Sequence, residues 1–352
     1  MRRTVLLGIL LLLLSACAGT GTPPSPTAPP TSPPLPTLPP HTATPTAPPT
    51  ERPVWTEAPL SGLPANPPIS LWPPLALVLP SDSEQYGMSQ ASVVYEVATE
   101  GGVPRFLAIF EQLQAAKLGP VRSARPYLVE WACPYGALLV HWGGSPQALA
   151  ALAQSDCLYN LEGMVYEGAY FWREPDPRVP WNSLFTRSDY LYGYLEAWGL
   201  YRFVNYSGYP HKDDAPLESR PPTQTISIAH AFSYPVRYVY HTQDNTYLRE
   251  YQGRPHLDLL TGEQLRVKNV VVIFVPQEPI PSDEAGRLRI ETVGEGEALI
   301  FQDGRAVRGR WTRENLQAEL RFYDPQGREI AFNRGNIWIE VLAPGQTVET
   351  LP

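Results

Sequence analysis

The sequence predicts an α+β or α/β N-terminal domain, a mixed sheet with helices, followed by a smaller β-rich C-terminal domain and preceded by a disordered Pro/Thr-rich linker. Three observations carry this. Strand-length apolar runs alternate with helix-start signals through residues 55–220, strand-like runs dominate after 235, and the prolines are unevenly placed. The chain has 352 residues and 41 prolines, about 12% against a usual ~5%. Thirteen of those prolines lie between Gly21 and Thr50. With 9 Trp and 19 Tyr, whole-chain disorder is excluded, and no Gly-X-Y period supports collagen.

Arg2 and Arg3 precede an apolar run, Val5 to Leu14, which is too short to span a bilayer. Leu14-Ser15-Ala16-Cys17 then looks like a bacterial lipobox, which makes residues 1–17 a lipoprotein signal peptide with Cys17 as the lipidated residue. An ordinary secretory signal with a chance cysteine is the other reading. On the lipobox reading the chain is anchored to the bacterial cell membrane, facing the extracytoplasmic side. Residues 18–53 read as a polyproline-like spacer; at about 3.1 Å per residue it reaches on the order of 100 Å. Cys133 and Cys157 either pair in that oxidising compartment or stay separate buried thiols, and geometry decides between them.

Domains are expected at 54–222 and 223–352. In the first, residues 75–79, 92–97 and 105–110 read as strands, the last two joined by a turn at Glu100-Gly101-Gly102. A helix is expected from Arg125 to Ala132, stopped by Pro134. A buried strand over 137–142 leads through Gly143-Gly144-Ser145-Pro146 into a second helix, with Ser at the N-cap and Pro at the first helical position. A third helix runs from Ser188 to Trp198 and ends at Gly199. Residues 220–235, with Pro221-Pro222 and Pro235, read as the boundary. Beyond it, strands are expected at 236–240, 247–251, 270–275, 298–301, 307–311, 321–323, 329–332 and 337–341. A helical turn is expected near 314–320.

Net charge is −8, and neither half is a basic footprint, so nucleic-acid binding is not expected. Three of 27 basic residues are lysines, so any cationic site is built of guanidinium, suited to gripping carboxylate or phosphate. Zinc-protease, phosphate-loop and nucleophile-elbow motifs are absent, and no pair of the six histidines has metal-ligand helical spacing. No metal or cofactor is expected. Arg122, Ser123 and Arg125 at a loop-to-helix entry would welcome an anion, or else pair with nearby glutamates. Gly143, Gly144 and Ser145 could offer backbone N–H groups to an oxyanion, or simply cap a helix. Glu96, Glu100 and Arg105 could hold an acid or base, or a structural ion pair.

These motifs, in the order Pro59-Leu60-Ser61-Gly62, Ser89–Glu96, Glu100-Gly101-Gly102, Arg105–Phe110, Gly119–Pro126, Gly143–Pro146 and Phe171-Trp172-Arg173, resemble the YerB-like bacterial lipoprotein family. Tyr247-Leu248-Arg249, Gly253–His256, Thr261–Leu265 and Lys268–Val272 extend the resemblance through the C-terminal half. It implies a two-domain surface lipoprotein, with no activity to carry over, and adds Arg173 and Asn182 to the candidate ligand-binding residues. Two departures stand out. Pro80-Ser81-Asp82-Ser83-Glu84-Gln85 replaces the family's usual Asn and Arg-Pro-Gln, and Trp181 replaces its histidine before Asn182.

The function expected is a non-enzymatic envelope-binding or scaffold lipoprotein with an Arg-rich face, its partners a membrane reached through Cys17 and wall polymer or an envelope protein. The alternative is a hydrolase or phosphotransferase-like enzyme acting on anionic envelope glycan.

Overall fold

Leu75–Pro80, Pro104–Phe110, Leu138–His141 and Ile337–Leu342 are buried along their whole length, which requires a sheet covered on both faces. They belong to one ten-stranded sheet. Its order is Arg321–Tyr323, Arg305–Arg313, Gly294–Gln302, Asn269–Phe274, Ile337–Leu342, Val93–Ala98, Pro104–Phe110, Leu75–Pro80, Leu138–His141, Tyr159–Glu162. The sheet is mixed: Val93–Ala98 runs parallel to Ile337–Leu342 and antiparallel to Pro104–Phe110. The computed structural model describes residues 55–69, 72–176, 178–200, 206–230 and 234–351; the expected signal peptide over 1–17, with Cys17, and the expected linker over 18–53 lie outside the described residues.

Side chains alternate across each strand, so one sheet makes two cores. Val93, Tyr95, Val97, Ile339 and Val341 point to one face, where Leu128 and Trp131 of the Pro126–Ala132 helix cover them. Val94, Phe106, Val270 and Trp338 point to the other. There a second sheet packs through Ile226, Val236, Tyr238 and Tyr247. It is an antiparallel series of Arg254–Pro255, Thr246–Tyr251, Pro235–His241, Thr225–Ala229 and Val348–Leu351. Residues on either side of the expected 222/223 boundary therefore share the large sheet, and from Trp55 onward they lie in one compact unit.

Most local expectations match. Ser145 caps the Pro146–Gln154 helix, its Oγ accepting the Ala148 N–H at 3.1 Å. Ser188–Ala197 is a helix, followed by Gly199 at φ +61°. The hairpin of Gly294–Gln302 and Arg305–Arg313 turns at Asp303 and Gly304, both left-handed. Three expectations need correction. Residues 315–318 form a turn instead of a helix, because the Asn315 side chain accepts the Gln317 and Ala318 N–H groups. The stretch 220–235 contains a strand, Thr225–Ala229, in the middle of the small sheet. Phe332–Asn333 pairs with His211–Lys212, leaving a single bridge, Tyr323 to Glu329, where a hairpin is expected. Among the described residues no helix is long and apolar enough to cross a membrane.

Cys133 and Cys157 are joined, their Cα atoms 5.2 Å apart, which ties the end of one helix to the loop after the next. With 24 residues of separation, the bond restricts the unfolded chain by about 3.5 kcal/mol. Cys133→Ser/Cys157→Ser is expected to lower unfolding free energy by about that amount in urea titration.

Candidate functional site

Two loops are zipped together at the top of the sheet. The Ala124 N–H donates to Gly143 O at 2.9 Å, and the Ser145 N–H to Ala124 O at 3.2 Å. The arginine loop and the Gly143–Ser145 turn thus lie side by side. Two of the turn's backbone donors are engaged: the Gly143 N–H is taken by Glu162 Oε1 at 2.7 Å and the Ser145 N–H by Ala124 O, while the Ser145 side chain caps its own helix. Ser145 here serves as a helix cap, and its hydroxyl and the Gly143 N–H are not free for an anion.

The arginines differ sharply. Arg125 holds Glu100 with two donors, Nε at 2.9 Å from Oε2 and Nη2 on Oε1. Arg105, 8% exposed, lies 3.8 Å from the same Glu100 and donates to Ser123 O at 3.1 Å. Arg122 is half-buried and donates through Nη1 to Trp181 O at 3.4 Å, while its Nε is buried with no partner. Burial, reinforced by the neighbouring Arg105, pulls its pKa down to about 10. Asp82 is the nearby carboxylate, and it accepts from Asn182 Nδ2 at 2.9 Å and Trp181 Nε1 at 3.4 Å. The two segments that depart from the family pattern therefore meet each other here. Arg173 sits apart from this group in its bonding: it grips Glu167 at 2.6 and 2.9 Å and lies 4.6 Å over the Trp142 ring.

Beside Asp82 and Asn182 opens a cleft of about 950 Å³, whose wall includes Lys117, Tyr251, Arg254 and His256. Behind His256 lies a buried polar network that the sequence reading missed. Glu96 is not part of the Glu100 constellation; Arg105 pairs with Val97 and Glu96 with Phe106 across the strands, so parity sends Glu96 to the small-sheet face. There it sits in register with Glu340 on the adjacent parallel strand. Arg249 Nη2 meets Glu96 Oε2 at 2.5 Å, and its guanidinium lies 4.8 Å over the Trp338 ring. His230 and Tyr238 bond Glu340. Arg249 also bonds His256 Nδ1, and His256 Nε2 meets Gln85 Oε1 at 2.7 Å. A signal existed: Glu96 and Glu340 each interrupt an otherwise apolar run.

The electrostatics follow from enclosure. Burial pushes the Glu96 carboxyl up to about 7, with Arg249 opposing and Glu340 adding to the rise. Burial would lower the His230 pKa, but Glu340 outweighs it and the imidazole is raised. Burial, then Arg249, drives His256 well below its usual range, so it is neutral. Ligand atoms of Glu96, His230 and Glu340 lie within 4.8 Å of one another, a spacing that would suit a metal ion. Arg249 and His230 already bring this pair of carboxylates to charge balance.

Removing Arg249 leaves two buried carboxylates short of a cation. Arg249→Met is expected to cost roughly 3–5 kcal/mol by urea unfolding, and Glu96→Gln/Arg249→Met less than the sum of the single changes. Glu96 and His230 both hold a proton more tightly folded than unfolded. Their contribution is therefore present at low pH and is lost, for Glu96, as pH rises from the ordinary range near 4.5 through about 7. Between pH 5 and 8 the wild type should lose more unfolding free energy than Glu96→Gln; parallel losses would contradict this assignment.

Residues 79–200 match the family described as Protein of unknown function (DUF3048) N-terminal domain, and residues 226–339 match the corresponding C-terminal domain. YerB of Bacillus subtilis (strain 168), which carries a lipoprotein name, is 29% identical over 274 residues, 76% of this chain and 81% of that one. The crystal structure of YerB protein from Bacillus subtilis superposes with a TM-score of 0.74 at 26% identity, covering 84% of this chain and 99% of that chain. With both domains matched in order and the fold shared, the chain belongs to the YerB-like two-domain family.

Proposed function

We propose that this chain is an extracytoplasmic lipoprotein, anchored through Cys17, that binds an anionic polymer of the cell envelope at Arg105 and Arg122. The lipobox-like start and the proline spacer support the placement, as does similarity to a protein with a lipoprotein name. The observation that carries the binding reading is Arg122. Among the described residues it has no ion pair, its Nε lacks a partner, and the neighbouring Arg105 raises the local positive charge. An incoming phosphate or carboxylate would supply the missing acceptor and relieve the repulsion. Arg125 is not the reader, because Glu100 already occupies its fork. His256 at the cleft wall has both ring nitrogens engaged, so this face offers contacts more readily than a proton carrier.

Arg122→Gln in the full-length chain is expected to weaken pull-down of purified wall polymer by at least tenfold, the worth of one charge-assisted hydrogen bond. Higher salt should weaken the wild type more than the variant. Unchanged binding by a folded Arg122→Gln protein would sink the assignment.

A further inference from the structure

The cleft next to Arg122 carries a different chemistry from the arginine loop. Its charges are largely spent on each other: Lys117 meets Glu174 at 2.5 Å and Arg178 meets Asp176 at 2.6 Å. Asp82, Glu84 and Arg254 remain, two carboxylates and one guanidinium, and Asp82 already accepts from Asn182 and Trp181. What the cleft wall leaves unmet is neutral hydrogen-bonding capacity. Asn182 is 3% exposed; its Nδ2 donates to Asp82 and Ser83, yet its Oδ1 is buried without a partner. The Tyr251 hydroxyl is likewise buried and without a partner, and burial keeps the phenol protonated. Buried polar atoms are normally satisfied, so two on residues that line one cleft mark where an occupant completes the structure.

We propose that the cleft takes a neutral sugar residue of the same polymer whose charged group lies on Arg122, so that the ligand is a phosphorylated or otherwise anionic glycan. This rests on the Arg122 reading for the charged group and on the cleft alone for the sugar. A sugar hydroxyl donates to Asn182 Oδ1 and another accepts from the Tyr251 hydroxyl, since a hydroxyl can take either role. An acyl chain would leave both atoms unmet. A second anion would face Glu84, Glu174 and Asp176. Asp82, held by Asn182, stands between the two subsites and sets the sugar next to the charge.

The test is calorimetric titration of the full-length chain with inorganic phosphate, with free glucose, galactose and N-acetylglucosamine, and with the 1-phosphates of these sugars. At least one sugar phosphate should bind tenfold or more tighter than phosphate. Tyr251→Phe, which removes only a hydroxyl that has no partner, should weaken that sugar phosphate about five- to tenfold and leave phosphate unchanged. Arg122→Gln should weaken phosphate and sugar phosphate together. No gain from any of the three sugars, or a Tyr251→Phe protein that binds sugar phosphate as the wild type does, overturns the sugar subsite and leaves the Arg122 reading standing. Phosphate binding untouched by Arg122→Gln, with sugar binding lost in Tyr251→Phe, overturns the Arg122 reading and keeps the cleft.

Discussion

Glu96 and Glu340 lie in register on neighbouring strands, both with no exposure, and the arrangement of everything above them follows from that. Two adjacent carboxylates in a dry interior repel, and neither can reach water. The small sheet supplies what they need: Arg249 and Tyr238 from facing positions on its own strands, and His230 from the end of a third. This fixes how the small sheet sits. A one-residue slip of Thr246–Tyr251 would replace Arg249 with Leu248 or Glu250, and Glu250 would add a third carboxylate to the pair. The register of one sheet over the other is thus set by charge as well as by apolar fit.

The same demand explains why the two sequence halves form one unit. Glu96 comes from the first half, while Arg249, His230 and Glu340 come from the second. Asp258 repeats the pattern with backbone donors, accepting the Gly87 N–H at 2.8 Å and the Ser89 N–H at 2.9 Å across 171 and 169 residues. On the opposite core, Arg313 donates to Glu130 O at 2.6 Å. A first half folded alone would leave Glu96 without its cation and the sheet face around it uncovered.

Much of the fold is written in local pattern. Ile337–Leu342 and Leu75–Pro80 announce themselves as apolar runs, and Ser145-Pro146 as a helix start. Thr225–Ala229 alternates as a strand should, but prolines on both sides disguise it as a boundary. The site divides in the same way. That the Arg122 loop and Gly143–Ser145 belong together is legible as motif. Which arginine is already paired is not, because Glu100 could serve any of the three until geometry assigns it. The partner of Glu96 lies 153 residues away, beyond any local signal.

That assignment of Glu100 is where the fold creates a surplus. Arg105, Arg122 and Arg125 draw on Glu100 and Asp82, while Asp283, also near Arg125, is held by Arg287. Glu100 gives its two oxygens to Arg125 and stands 3.8 Å from Arg105. Asp82 spends its oxygens on Asn182 and Trp181. On an open surface the remaining guanidinium would be solvated and an ion pair there would add little. Arg122 is half-buried with one nitrogen sealed, so water compensates it less well, and an acceptor delivered to it meets a donor that has not already been satisfied. The surplus charge and the cost of its burial fall on the same residue, and that coincidence is why the proposed anion site is placed at Arg122.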